Sequence, residues 1–306
     1  LGNDAEMDTL VTHLATHPLL GYTVVKHYRV FDPAKLETEL DSLHPNIVVI
    51  SPISPQNIDT VSAWYPLIMQ KYTTRTLSAM YEEILRRIPR GTLSEGWVIS
   101  HLNEPRSAMY DRLRIIFDYL SASVLGILFL FLLPWVALAI RLDSRGPIFF
   151  RQQRVGRNNQ PFTLYKFRSM KALAADGSAE TNGPQFTSTN DDRITRVGRI
   201  VRKFRIDELP QIINVFKGEM GLIGPRPERP AFAAELTAVI PYYPLRHLVK
   251  PGFTGWAQVQ NAYYGTIDEN LLKLEYDLYY IKHRGPLLDL AIVLRTIGIV
   301  MGMKGR

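Results

Sequence analysis

Cysteine is missing from all 306 residues. That absence removes a disulfide framework, a thiolate zinc site and a cysteine nucleophile, so catalysis has to rest on oxygen and nitrogen groups. Acidic residues are the scarcer charge, 29 against 36 lysines and arginines, which leaves a net charge of +7 at pH 7. Such a balance favours negatively charged partners: anionic lipid, a phosphorylated substrate or nucleic acid. No basic, apolar, small-residue leader opens the chain, so no signal peptide is visible. LGNDAEMDTL reads instead as the exit of a strand cut off just before it, as in a fragment of a longer chain. Internal repeats and low-complexity tracts are also absent. The length suits one large or two modest domains, and two is the reading adopted.

What is present begins with alternation. AEMDTLVTHLATH has helical spacing, YTVVKHYRV is rich in β-formers, PAKLETELDSL is helical again, and NIVVIS reads as a buried strand. This order predicts an α/β unit with a parallel sheet. The Gly-rich turn of a dinucleotide fold would sit at the first strand, of which only LGND remains, so no nucleotide site is assigned. A regulatory or scaffolding domain without ligand is the expectation.

A second feature is a long uncharged run between Asp118 and Arg141. It matches the roughly 20 residues a spanning helix needs. Pro134 interrupts it, and both flanks are basic: Arg112 and Arg114 before, Arg141, Arg145, Arg151, Arg154 and Arg157 after. Positive charge prefers the cytoplasmic side, so a kinked helix that enters and returns on one face satisfies both flanks. A spanning helix that tolerates its proline is the alternative, and a buried core helix the third. Beyond Phe150 the chain is globular and basic. ALAADGSAETNGPQFTSTND is polar and aperiodic and reads as a mobile, lid-like loop. GPLLDLAIVLRTIGIVMGMKGR has helical spacing and a basic end, and could lie on a membrane surface or pack on the domain.

The segment RIDELPQIINVFKGEMGLIGPRPERP carries the chemistry. Leu209, Ile212, Ile213 and Phe216 recur at three and four, which predicts an amphipathic helix from about Asp207 with Pro210 in its first turn. Asp207 and Glu208 would then sit at a helix N-terminus, where backbone N–H groups keep a carboxylate ionised near neutral pH. By itself this pattern is equally that of a helix cap. Downstream, Gly221 and Gly224 permit tight turns, and Pro225 and Pro227 stiffen the backbone around Arg226, a guanidinium suited to bidentate contact with phosphate. Upstream lie Arg199, Arg202, Lys203 and Arg205. Converging acids and cations are what phosphoryl transfer requires: a carboxylate nucleophile or metal ligand, Mg²⁺, and cations for phosphate oxygens.

These residues, with YKFRSM (165–170), KPGFTGWAQV (250–259) and YDLYYIKHRGPLLDL (276–290), closely resemble the bacterial sugar transferases, the monotopic polyprenyl-phosphate phosphoglycosyl transferases, from Ala108 to the C-terminus. The resemblance implies a fold and an organisation. A truncated Rossmann-like, CoA-binding-like regulatory or scaffold domain would fill 1–105, and a re-entrant membrane helix with its juxtamembrane segment 106–150. A mixed α/β, mainly helical catalytic domain would fill 151–306, with a homodimer as the assembly. It also implies a reaction: a sugar-1-phosphate passes from a UDP-sugar to undecaprenyl phosphate through a covalent aspartyl-phosphosugar, releasing UMP, in the first membrane step of surface-polysaccharide synthesis. Carried over by position, Asp207 is the nucleophile and Glu208 its partner, and the two hold Mg²⁺. Arg202 takes the polyprenyl phosphate and Arg226 the nucleotide-sugar diphosphate. Lys166 and Arg168 are further phosphate-binding candidates, and Glu228 and Asp277 further pocket candidates, each equally readable as a salt bridge or cap. The location implied is the bacterial inner membrane, catalytic side facing the cytoplasm and in contact with membrane lipid.

Two departures stand out. Leu133 precedes Pro134 where family members often carry serine, and Ile206 stands near a position where a small hydroxyl residue is common. Rival readings are an inactive membrane-anchored scaffold of polysaccharide assembly and a membrane nucleotide-sugar hydrolase. Nucleic acid is not an expected partner, because the cations surround acids and no aromatic platform accompanies them.

Overall fold

The computed structural model describes residues 2, 4–30, 33–51, 72–102, 108–174, 176–179, 191–260 and 266–302. They fall into two units, Leu1–Asn103 and Glu104–Arg306. Most of the predicted lid-like loop, residues 180–190, lies outside the described residues, as does the basic end, 303–306.

In the first unit, helix α1 (Ala5–Thr16) starts at Asp4, whose carboxylate accepts the Met7 N–H at 2.8 Å. Its apolar stripe, Met7, Leu10 and Leu14, packs on Leu77, Met80 and Tyr81 of α3 (Leu77–Leu85). Helix α2 (Pro33–Leu43) buries Leu36 and Leu40 against Val48 of β1 (Ile47–Ile50). Strand β1 runs parallel to β2 (Thr73–Thr76), which leads directly into α3, and α4 (Glu95–Leu102) follows. The expected strand in YTVVKHYRV does not form: the segment joins no ladder. A cavity of about 320 Å³ is lined by residues 22–28 and by β1. Gly2 bridges the two sides at one end. It donates to Tyr28 O at 3.0 Å, and a Cβ at Gly2 would come within 2.6 Å of Ser51 Cβ.

The second unit is organised along one 36-residue helix, α5 (Ala108–Asp143), with Pro134 inside it. Its inner stripe, Ala122, Phe129 and Ile140, shares a core with Phe162, Leu164 and Phe167 of a hairpin and with Leu209, Ile212, Val215 and Met220. The hairpin pairs β3 (Phe149–Val155) antiparallel to β4 (Pro161–Phe167), from Phe149 opposite Phe167 to Val155 opposite Pro161. Helix α6 (Arg196–Lys203) precedes a 3₁₀ turn, Ile206–Gln211, and the short α7 (Ile212–Phe216). Strand β5 (Gly221–Ile223) pairs in parallel with β6 (Gly252–Thr254). Between them run α8 (Pro230–Val239) and a 3₁₀ turn, Tyr243–Leu248; after them come α9 (Trp256–Gln260), α10 (Ile267–His283) and α11 (Pro286–Met301). A capping box between Thr266 and Glu269 starts α10.

Only 11% of the most apolar stretch of α5 is buried, which rules out a core helix. Ile127, Phe131, Trp135 and Leu138 stand exposed on it, and Leu287, Leu290 and Leu294 on α11. Yet both ends of α5 are tied to the same unit. Tyr110 donates to Asp289 at 2.7 Å, Arg114 to Ile223 O at 2.5 Å, and Asp118 accepts the Leu222 N–H at 2.8 Å. At the other end Asp143 accepts the Val197 N–H at 2.9 Å. At 1.5 Å per residue these anchors lie roughly 50 Å apart along the axis.

Candidate functional site

The acidic pair does not sit where helical periodicity predicts. Arg205 adopts a left-handed conformation, φ 57°, which breaks the chain after α6, and the next six residues wind into the 3₁₀ turn. Neither carboxylate caps a helix through its side chain. The turn lies against β4, so Asp207, Glu208, Leu209, Pro210 and Gln211 are all buried. Depth, not a helix terminus, sets their chemistry.

One oxygen of Glu208 receives two cations, Lys166 from β4 at 3.0 Å and Arg226 at 2.8 Å. Burial alone would push this carboxyl up, but Arg226 and Lys166 outweigh it and hold Glu208 well below the usual carboxylate range. Asp207 goes the other way. Burial first, then the neighbouring Glu208 charge, push it up to about 6 against the pull of Lys166, Arg202 and Arg205. The expectation of an Asp held ionised by a helix N-terminus is thereby corrected: its position beside a second carboxylate makes ionisation harder. Asp207 Oδ1 is also buried without a hydrogen-bond partner. A buried carboxylate oxygen left unpaired is costly, and in a native fold it is met by an ordered water, a cation or a reacting atom.

Behind Glu208 lies a second charged network. Arg246, fully buried, meets Asp277 Oδ2 at 2.8 and 3.0 Å and Tyr243 OH at 3.2 Å. It also donates to the backbone carbonyl of Arg226 at 2.9 Å. Glu228 is paired with Lys273, with Arg154 at 3.9 Å and Arg246 at 4.0 Å. Burial opposes its ionisation, but Lys273, Arg246 and Arg154 bring it down to about 2. Arg154 donates to Pro227 O at 3.1 Å. Glu228 and Asp277 therefore hold the GPRP loop from behind. The glycines beside it serve close approach, not the turns the sequence suggested. A Cβ on Gly224 would lie 2.5 Å from Lys250 O, and one on Gly252 2.0 Å from Gly224 N. The turn itself falls at Gly218, φ 74°.

A cleft of about 150 Å³ opens beside Asp207, lined by Arg154, Lys166, Arg193, Arg202 and Arg229 among others. Arg202 reaches it from α6. Arg168 borders the cleft too, but its guanidinium is spent on the end of α5, donating to the carbonyls of Ile140 at 3.2 Å, Ser144 at 2.7 Å and Arg145. The structure thus places Asp207, Lys166 and Arg202 on this cleft, joins Glu208 and Arg226 to it through Lys166, and sets Arg168, Glu228 and Asp277 as supports. Arg193, Arg229, Arg246 and Lys273 escaped the sequence reading, and Arg154 entered it only as a basic flank, since arginines are frequent throughout and none of these stands beside Asp207 and Glu208 in sequence. Among the described residues no cluster of three or more His, Asp or Glu forms a ready metal cage. The unpaired Asp207 oxygen fits Mg²⁺ all the same, because that ion commonly takes one or two carboxylates and completes its shell with phosphate and water.

Comparison with known proteins gives the family. A family model described as bacterial sugar transferase matches residues 109–303. A UDP-N-acetylgalactosamine-undecaprenyl-phosphate N-acetylgalactosaminephosphotransferase of Aeromonas hydrophila is 43% identical over 216 residues, 69% of this chain and 50% of that protein. Two proteins named UDP-glucose:undecaprenyl-phosphate glucose-1-phosphate transferase also match. The one from Escherichia coli is 38% identical over 65% of this chain and 42% of its own length. The one from Caulobacter vibrioides is 42% identical over 63% of this chain and 71% of its own. The chain spans half or less of the first two relatives.

Proposed function

The chain belongs to the bacterial sugar transferase family, and from that premise we propose that it transfers a sugar-1-phosphate from a UDP-sugar to undecaprenyl phosphate, the step that initiates a surface polysaccharide. The observation that carries the reading is the buried, unpaired Asp207 Oδ1 at the edge of a cationic cleft. A carboxylate with a pKa near 6 is largely ionised at neutral pH and poorly solvated, hence nucleophilic. It attacks the sugar-bearing phosphorus. The bond from that phosphorus to the bridging oxygen breaks, and UMP leaves with the oxygen and its electron pair. An oxygen of the polyprenyl phosphate then attacks the same phosphorus, and the bond to Asp207 breaks to restore the carboxylate. One residue thus serves two substrates in turn.

Arg226, paired with Glu208 and stiffened by its prolines, faces the diphosphate, and Arg202 on α6 faces the lipid phosphate. Lys166 keeps Glu208 ionised beside Asp207. Asp207 and Glu208 would hold Mg²⁺ with the diphosphate, where the ion supplies charge neutralisation for the leaving UMP.

The location is read from α5. Its apolar outer face supports insertion into lipid, while anchors at both of its ends to one globular unit support entry and return on one side. That side is the cytoplasmic face of the inner membrane, where both basic flanks are satisfied. Pro134 cannot donate to the carbonyl one turn before it, which loosens the helix in its C-terminal third. The front unit, with helices alternating with a parallel strand pair, is read as part of a Rossmann-like regulatory or scaffold domain.

The test is UMP release from a panel of UDP-sugars with Mg²⁺, with and without undecaprenyl phosphate, on the wild type and Asp207→Asn. Lipid-dependent turnover with one sugar is expected, falling on the order of 1,000-fold or more in the variant. Full activity in Asp207→Asn would overturn the assignment. Free sugar-1-phosphate made without lipid at the turnover rate would replace it with hydrolysis.

A further inference from the structure

The C-terminal end of α5 is joined to α6 in a way the reaction itself does not require. Asp143, the last residue of α5, accepts the backbone N–H of Val197 in the first turn of α6 at 2.9 Å. That N–H has no partner within its own helix, and a carboxylate there is favoured by the helix dipole. Thr195 caps the same turn through the Gly198 N–H at 3.0 Å, and its own N–H donates to Ser169 O at 3.1 Å. Gly198 seats α6 so closely on Ser169 that a Cβ would lie 1.9 Å from its carbonyl oxygen. The N-terminus of α6 is therefore clamped between the end of the apolar helix and the strand exit. Five residues beyond Val197 the same helix puts Arg202 into the cleft, with Ile200 and Phe204 exposed beside it.

We propose that Asp143 is a positioning residue for the lipid half of the reaction. By tying α6 to the end of the lipid-embedded helix, it fixes the depth at which Arg202 meets the polyprenyl phosphate. The groups that meet the UDP-sugar, Lys166, Glu208 and Arg226, sit on β4, the 3₁₀ turn and the GPRP loop, with Lys166 and Arg226 both paired to Glu208, whereas Arg202 stands on α6 itself. Loss of the Asp143 tie therefore separates the two half-reactions. This inference rests on the transferase reading above.

The experiment uses the full chain in lipid nanodiscs, as wild type, Asp143→Ala and Asp143→Asn. Two quantities are read: the pre-steady-state burst of UMP from the UDP-sugar without undecaprenyl phosphate, and the KM for undecaprenyl phosphate in full turnover. Asp143→Ala is expected to leave the burst within about twofold while raising that KM roughly five- to tenfold, the scale of a lost helix cap. Asp143→Asn keeps an oxygen for the Val197 N–H, so it should recover most of the loss, and it remains informative if the alanine variant does not fold. Equal losses in both half-reactions, or none in either, would overturn the proposal. If the wild type gives neither burst nor lipid product, the transferase reading falls first, an outcome distinct from failure of Asp143 alone.

Discussion

Asp207 is pushed up to about 6 by burial and by Glu208, so its titration falls inside an accessible pH range. The group bears more protons in the folded than in the unfolded chain. It therefore stabilises fully below its unfolded value, and that contribution is lost as pH rises through about 6. Nucleophilicity follows the opposite course, since only the ionised form attacks. The burst rate of UMP release should rise tenfold per pH unit below about 6 and level off above it, while Asp207→Asn, which cannot ionise, should melt at or above the wild-type temperature at pH 8. Burst kinetics across pH 4.5–8.5 and paired thermal melts check both; a flat profile would place the nucleophile elsewhere. The identity of the acids was legible in the sequence. Their microscopic state was not, because it depends on β4 covering them and on Lys166, 41 residues upstream of Asp207, choosing Glu208 as its partner.

At the scale of elements, the GPRP loop is held by a buried ion network, not by its prolines alone. Asp277 on α10 orients Arg246, and Arg246 donates to the carbonyl of Arg226. Asp277→Asn leaves a buried guanidinium short of its counter-charge and should cost about 3 kcal/mol of stability. It should also raise KM for the UDP-sugar about tenfold, with KM for the lipid phosphate unchanged. Arg246→Met together with Asp277→Leu should recover the stability, since an apolar pair can replace a buried ion pair, but not the UDP-sugar KM, because the Arg226 carbonyl has lost its donor. Denaturant unfolding and steady-state kinetics on both variants separate the two effects; recovery of KM in the double variant would show that the network serves stability only. Spacing identified α1 and α2, whose apolar stripes meet a core, and α11. It misread Asp207–Phe216 as one helix, because the left-handed Arg205 and the turn's seat on β4 are tertiary effects that periodicity does not carry. It also misread residues 22–28, which are rich in β-formers but pair with no strand among the described residues.

For the molecule as a whole, the decisive question is whether α5 crosses the bilayer or returns. Hydropathy permits both, since length and apolarity measure only what lipid will accept. The basic flanks were the sequence's argument for return; what sequence could not supply is that Tyr110, Arg114 and Asp118 near one end and Asp143 at the other grip a single unit. A crossing helix would have to break one set of these contacts, including the Arg114 bond to β5 next to the GPRP loop. The lack of cysteine makes the distinction directly measurable. Single replacements Met109→Cys and Arg145→Cys place one thiol at each end of the helix without competing background. In right-side-out and inverted membrane vesicles, a membrane-impermeant maleimide should label both positions from the cytoplasmic side and neither from the other. Labelling from opposite sides would make α5 a spanning helix, and then the ties that unite its ends, the Asp143 clamp on α6 among them, could not coexist in the membrane.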